Sequence, residues 1–393
     1  MRSSISPSPF FFLFVLLITA ANLRTPITVT GPVLENISRT FNLSASEAGL
    51  LNFIPLGMFA VLAPCASWLG SRLGLEKALW AAVWLIALGS LWRIMGYESG
   101  LWLGTLTLSA GIAIANVLLP PLIKRDFTEH TAKYIGLYAS TMAITASLAS
   151  GTAVPLAQAT SAGWILSLGI WLVPALIALV AWLPPLKYAR TPRPQPHSAN
   201  TVRLTSPWKS PLGWQVSLFM ALQSMVFYTL IAWFTPYAQA HGFSQLTAGW
   251  LLFLYQVIAV AANLGCMAAL KKQRDQRLIG FVASLAIFIG LAGLLLAPQL
   301  AALWLISAGL GAGASMVTCL ALFSLRAANH QQASQLSGMA QCVGYGLAAL
   351  GPLAFGWLHE IFASWNSALL ALLGMTVLQM VIAPLAGRNK QIG

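Results

Sequence analysis

The stretch SASEAGLL, Ser44 to Leu51, returns as SQLTAGWL, Ser244 to Leu251, with its first serine, its Ala-Gly pair and its last leucine unchanged. That offset of 200 residues is about half of the 393-residue chain. Arg125 and Arg326 stand at nearly the same offset, and so do Trp164 and Trp365. Three correspondences in one register predict an internal duplication. Each copy of the quoted stretch heads a long apolar run, so the duplicated unit is built of apolar segments.

Hydrophobic residues make up 58% of the chain and charged residues 7%, which places it outside the range of soluble globular domains. Apolar runs of about 20 residues, long enough for a helix to cross roughly 30 Å of hydrocarbon, recur between short polar loops. Twelve are predicted, beginning near Phe10, Ala48, Ala78, Leu101, Tyr134 and Trp164, then near Leu212, Ala248, Leu278, Ala301, Gln335 and Ala368. The expected fold class is an all-α membrane protein of twelve transmembrane helices in a 6+6 pseudo-symmetric arrangement. Six is even, so both copies enter the membrane in one orientation, as parallel repeats do. Between them KYARTPRPQPHSANTVRLTSPWKS, residues 187–210, is basic and proline-rich and cannot span lipid. It is expected to be a cytoplasmic linker between two six-helix bundles, residues 1–186 and 211–393. Arg2 before an apolar run, with Thr19-Ala20-Ala21 after it, imitates a secretory signal. Cleavage there would leave an odd set of spans, so an uncleaved first helix is expected.

A net charge of +13 raises the question of a nucleic-acid or other anionic partner. The basic residues instead follow topology. With the N-terminus inside, the segments holding Arg72 and Lys77, Lys124 to Lys133, residues 187–210, residues 271–277, Arg326, Arg388 and Lys390 all face the cytoplasm. Arg39 and Arg93 fall outside. This positive-inside pattern predicts a multi-pass protein of the bacterial inner membrane, in contact with the lipid bilayer, with both termini cytoplasmic and no nucleic-acid partner. A monomer is expected. Cys65, Cys266, Cys319 and Cys342 lie in or at the ends of apolar runs, without metal-ligand spacing, and read as packing residues. His130, His197, His241, His330 and His359 fall in loops or at a helix end. No metal, cofactor or histidine relay is therefore expected. The sequence has no nucleophile elbow, no HExxH and no pair of embedded carboxylates, so an enzyme is not expected.

Arg24 lies about midway through the first run, where an arginine costs about 2.5 to 3.5 kcal/mol on insertion scales unless it meets water, a partner or a ligand. On a continuous helix Arg24, Thr28, Gly31 and Glu35 share one stripe. At 1.5 Å per residue Glu35 is then about 16 Å away, beyond the reach of a guanidinium. Glu47, Glu76, Glu98, Asp126, Glu129, Asp275 and Glu360 lie in loops or at run ends. The expected partner is an anion or electron-rich oxygen of a small-molecule substrate, held by two parallel hydrogen bonds. The alternative is an Arg24 that snorkels, or that satisfies backbone carbonyls where Pro26 disturbs the helix.

Four stretches carry a family resemblance: NLRTPITVTGPVL from Asn22, NVLLPPLIKRDF from Asn116, WQVSLFMALQSMVFYTLIAWF from Trp214 and LSGMAQCVGYGLAALGP from Leu336. The chain resembles, over nearly its whole length, the cyanate porter family of the major facilitator superfamily. Within it the resemblance is to bacterial 2-nitroimidazole exporters and, further off, to cyanate transporters. It implies the 6+6 major facilitator fold and a secondary active transporter working by alternating access. The implied solute is small and anionic or electron-rich, 2-nitroimidazole-like or cyanate-like, with efflux the expected direction. Proton-coupled uptake and multidrug efflux are the alternatives within the superfamily.

The resemblance further implies that Asn22, Asn116, Gln223, Tyr228, Gln256, Gln341 and Tyr345, on cavity-lining helices, complete the substrate site beside Arg24. Gln341 with Tyr345, and Ser224 with Tyr228, are four residues apart, so each pair sets a polar group beside a ring and suits a small planar solute. Hydrogen bonding between helices is the alternative role. Glu35 is the candidate for proton coupling. Gly309, Gly313, Gly346 and Gly351 are expected to permit close helix packing, with Gly351-Pro352 as a hinge. The superfamily's loop motif GxxxDRxG corresponds to GSRLG within SWLGSRLGLEKA, which keeps Arg72, Gly74 and Lys77 as gating-loop residues but has Ser71 in place of the aspartate. Gating by other contacts is implied.

Overall fold

Spans this apolar leave the backbone no water to bond, so each must satisfy its own amides as helix. The computed structural model describes residues 9–127, 131–187, 205–270, 273, 275–328 and 330–392, and every regular element among them is helical. The first span is broken into α1 (Pro9–Ala21), α2 (Thr25–Thr28), a 3-10 turn (Gly31–Val33) and α3 (Leu34–Phe41). The next four are α4 (Ala45–Leu73), α5 (Leu75–Arg93), α6 (Glu98–Asp126) and α7 (Thr131–Ala159). The sixth is divided into α8 (Trp164–Gly169), α9 (Leu172–Ala181) and α10 (Leu183–Lys187). Six continuous spans follow: α11 (Pro211–Ala240), α12 (Gln245–Leu270), α13 (Arg277–Leu296), α14 (Ala301–Leu325), α15 (His330–Phe362) and α16 (Trp365–Ala386).

Eleven spans among the described residues are both long and apolar enough to cross a membrane. The twelfth expected, α7, has the length, 29 residues, but carries serine and threonine where the others carry leucine. Residues 188–204 of the expected linker, together with His130, His197, Lys271, Lys272 and Arg274, lie outside the described residues.

The chain packs as two compact units, Met1–Thr30 with Val61–Pro196, and Gly31–Ala60 with His197–Gly393. The first span and α4 each contribute to both. In the first unit the tightest pairing is α5 against α6, and in the second α13 against α14 takes the same form. A methyl added at Gly111 would meet the Ala82 carbonyl oxygen at 2.4 Å, and one at Gly311 would meet that of Ala283 at 2.4 Å. Gly89 would collide with Gly104 and Leu108, and Gly290 with Trp304 and Ala308. The duplication therefore extends to which small residues let helices touch.

It extends to polar partners as well. Ser44 caps α4 in a reciprocal box with Glu47: the Glu47 amide donates to Ser44 Oγ at 3.2 Å, and the Ser44 amide to Glu47 Oε2 at 2.8 Å. Ser244 caps α12 through the first of these bonds, taking the Thr247 amide at 3.1 Å, while its hydroxyl meets that of Thr247 at 2.8 Å. Arg125 at the end of α6 donates to Glu76 at 2.6 Å. Its counterpart Arg326, after α14, donates to Gln276, to the Ala386 carbonyl at 3.1 Å and to that of Gly387 at 2.9 Å. The ion pair of one copy is a set of neutral acceptors in the other.

The continuous stripe from Arg24 to Glu35 does not form. Pro26 has no amide to offer the carbonyl of Asn22, four residues earlier, so the helix is interrupted before Thr25, and the Gly31-Pro32 pair interrupts the chain again. Glu35 therefore lies on α3, a separate helix, and the distance along a straight helix does not describe the separation from Arg24.

Candidate functional site

Within the first unit, the break at residues 22–24 releases backbone carbonyls that a lipid-embedded helix cannot leave unmet. Side chains meet them. The Ala21 carbonyl accepts from Thr25 Oγ1, and from Thr145 Oγ1 at 3.5 Å. The Pro26 carbonyl accepts from the Arg93 guanidinium at 2.7 Å and from Thr30 Oγ1 at 3.3 Å. The Thr28 carbonyl accepts from Ser150 Oγ at 3.1 Å, while Thr28 Oγ1 donates to the Ala146 carbonyl at 3.1 Å. The hydroxyls that lower the hydropathy of α7 thus serve the break in the first span. Trp182 Nε1 donates to Thr19 Oγ1 at 3.0 Å and ties the end of α1 to the sixth span.

Arg24 is the residue just before α2, in a non-helical conformation (φ −122°, ψ −31°), and its side chain is half-buried. In the same unit Tyr138 of α7 is buried, and its hydroxyl donates to Asn116 Oδ1 of α6 at 3.0 Å. Asn116 Nδ2 turns back to the Ile112 carbonyl at 3.1 Å. Arg24, Tyr138 and Asn116 come from three spans of the first unit. Tyr138 is absent from the sequence-derived set; its signal was a phenol within a span rich in serine and threonine. Asn22 makes a bond of the same kind as Asn116. Buried at 1% exposure, it donates to the Ile18 carbonyl at 2.7 Å and closes the last turn of α1.

In the second unit Tyr228, Leu56 and Ala349 form a small core with Phe53, Phe59, Phe227 and Tyr345 packed on it. Tyr345 stacks on Phe59 with centroids 5.1 Å apart and meets Tyr228 edge-on at 6.4 Å. Phe227 touches Tyr228 at 5.3 Å and Tyr255 at 5.7 Å. Two of the sequence-derived residues, Tyr228 and Tyr345, therefore belong to one aromatic cluster. Gln223 is buried and bonds close to home, to Ser224 Oγ at 2.7 Å and to the sulfurs of Met220 and Met316. Gln341 donates to Ser337 Oγ at 2.9 Å, and Gln256 to the Leu252 carbonyl at 3.4 Å.

Glu35, in the second unit, accepts from Arg39 one turn along α3. Gly74 alone joins α4 to α5, with φ +87°, a left-handed conformation that favours glycine. Arg72 lies over the Trp68 ring at 5.3 Å from its centroid, and Lys77 is exposed. Buried Glu76, two residues past Gly74, ties this corner to α6 through Arg125. Among the described residues no group of three or more His, Cys, Asp or Glu side chains converges as a metal site would require.

The pattern of the Major Facilitator Superfamily matches residues 11–352. The chain is 39% identical to the uncharacterized transporter YycB of Bacillus subtilis over 98% of its own length and 95% of the relative's. It is 37% identical to the 2-nitroimidazole transporter of Escherichia coli, over 96% and 95%. Identity to the E. coli cyanate transport protein CynX is 28%, over 95% and 97%. Among solved structures, a bacterial homolog of the human lysosomal transporter Spinster superposes with a TM-score of 0.79 at 19% identity, covering 97% of each chain. That likeness shows the fold.

Proposed function

The chain belongs to the Major Facilitator Superfamily, and from that membership we propose that it is a secondary active transporter of a small anionic or electron-rich solute, with Arg24 as the substrate anchor. Membership makes it a multi-pass membrane transporter and not an enzyme. The observation that carries the finer reading is the placement of Arg24. Its charge stands half-buried at a helix break held by hydroxyl and guanidinium donors, in the unit that also holds the Tyr138–Asn116 pair. A planar guanidinium suits an oxygen-bearing planar solute, charged or neutral. The names of two relatives, a 2-nitroimidazole transporter and a cyanate transport protein, agree with that chemistry.

The sequence-derived contacts in the second unit, Gln223, Tyr228, Gln256, Gln341 and Tyr345, are proposed as a second set that the solute meets during alternating access. Tyr228 and Tyr345 are the strongest of these, since they share one aromatic cluster. Asn22 is the weakest, because its amide completes α1. Residues 1–186 and 211–393 are proposed as the moving halves, in an inner membrane with both termini cytoplasmic. In that orientation an inside-negative potential of about 100 mV drives a monovalent anion outward by roughly 2.3 kcal/mol, so efflux needs no proton. Glu35 already pairs with Arg39 and is a poor proton carrier.

Transport of 2-nitroimidazole and of cyanate into proteoliposomes by Arg24→Lys and Arg24→Ala tests the anchor. Removing one charged hydrogen-bond donor is expected to lower transport per inserted protein by about tenfold or more in the alanine variant, with part retained by lysine. Parental rates in both variants would sink the reading.

A further inference from the structure

Arg93, at the last position of α5, is 4% exposed. Charge counting places it in an outer loop, yet it is buried in the first unit. One nitrogen donates to the Pro26 carbonyl at 2.7 Å and another to Thr30 Oγ1 at 2.7 Å. Pro26 is the second residue of α2, and Thr30 lies two residues past its end. A single guanidinium therefore bridges the short helix that starts immediately after Arg24. Space for its stem is provided by Gly104 of α6, where a methyl would meet Arg93 Cγ at 2.8 Å.

A four-residue helix does not hold itself, because its first turn fixes several dihedrals for very few hydrogen bonds. Its geometry must come from outside. Ser150 and the Ala146 carbonyl each make a single neutral bond with Thr28, whereas Arg93 supplies two charge-assisted ones in a rigid fork. We infer that Arg93 is a positioning residue for transport: by clamping Pro26 and Thr30 it holds α2 as a separate helix and so fixes the direction in which Arg24 leaves the backbone. Arg93 touches no substrate in this scheme. The inference rests on the reading of Arg24 as anchor.

Two measurements separate the inference from that reading. The first is hydrogen–deuterium exchange of purified protein, with no ligand. In Arg93→Gln the amides of residues 27–30 are expected to exchange about tenfold faster, as local opening costs about 1.4 kcal/mol less, while those of residues 15–21 are unchanged. Unchanged exchange across residues 27–30 would overturn the inference, whatever Arg24 does.

The second is transport of 2-nitroimidazole in proteoliposomes. Arg93→Gln is expected to raise KM about tenfold with Vmax per inserted protein within about twofold, and Arg93→Lys, keeping the charge without the two-nitrogen fork, about threefold. Placed on Arg24→Lys, Arg93→Gln is expected to add less than about twofold, because it acts only through the anchor. A full independent loss in the double variant would overturn the positioning role. Should the Arg93 variants fail to insert, Thr30→Val removes one acceptor and leaves the arginine, and it is expected to raise KM about threefold. If Thr30→Val leaves both KM and exchange at parental values, the clamp has no effect on transport. Faster exchange in Arg93→Gln combined with parental transport by Arg24→Ala would uphold the clamp and remove the anchor.

Discussion

Arg24 and Arg93 are both arginines of the first unit, and their surroundings differ. Arg93 is buried against a carbonyl and a hydroxyl. Arg24 keeps part of its surface at the break between α1 and α2. The Pro26 carbonyl accepts from Arg93 and from Thr30. Tyr138→Phe removes the donor to Asn116, a loss of about 1 kcal/mol, so KM for 2-nitroimidazole is expected to rise roughly fivefold with insertion unchanged. Kinetics in proteoliposomes check this, and an unaltered KM would detach Tyr138 from the site. Arg24 itself was legible because a charge inside an apolar run stands out. Arg93 was not, since it closes its run, where a loop charge and a buried clamp look alike until α6 and the first span pack against it.

The elements were legible for a different reason. Apolar length marks a span whatever its neighbours, and the serine at the head of the repeated stretch caps α4 and α12 alike. Breaks within a span were only half visible: Pro26 and Gly31-Pro32 announce an interruption, but the donors that permit it, Arg93, Thr145 and Ser150, come from α5 and α7. Glycines within spans were expected to serve packing, and at α12 and α14 they do. A methyl at Gly313 would stand 1.9 Å from the Ala259 carbonyl oxygen, backbone that cannot swing aside. Gly313→Ala must force the two helices apart and is expected to cost about 1 to 3 kcal/mol. Gly374 in α16 has nothing within 4 Å of the same methyl, so Gly374→Ala is expected to be neutral or to stabilise by up to about 1 kcal/mol. Thermal unfolding of the two variants in one detergent would show the contrast; equal shifts would contradict it.

At the level of the whole molecule, the charge pattern and the duplication together demand one orientation for both copies. Single cysteines placed at Arg39 and at Lys390 in a cysteine-free background are expected to label from opposite sides of the membrane. An impermeant maleimide should reach residue 39 in intact cells and residue 390 only after permeabilisation, and the reverse order would invert the proposed topology. The broken first span also sets a schedule for biosynthesis. Its hydrogen-bond partners lie 67 residues along the chain for Pro26 with Arg93, and 122 for Thr28 with Ser150. Until those later segments have been made, the Thr28 carbonyl lacks Ser150 and the Pro26 carbonyl has only the Thr30 hydroxyl of its own span. A span made before its partners therefore settles in lipid only after them.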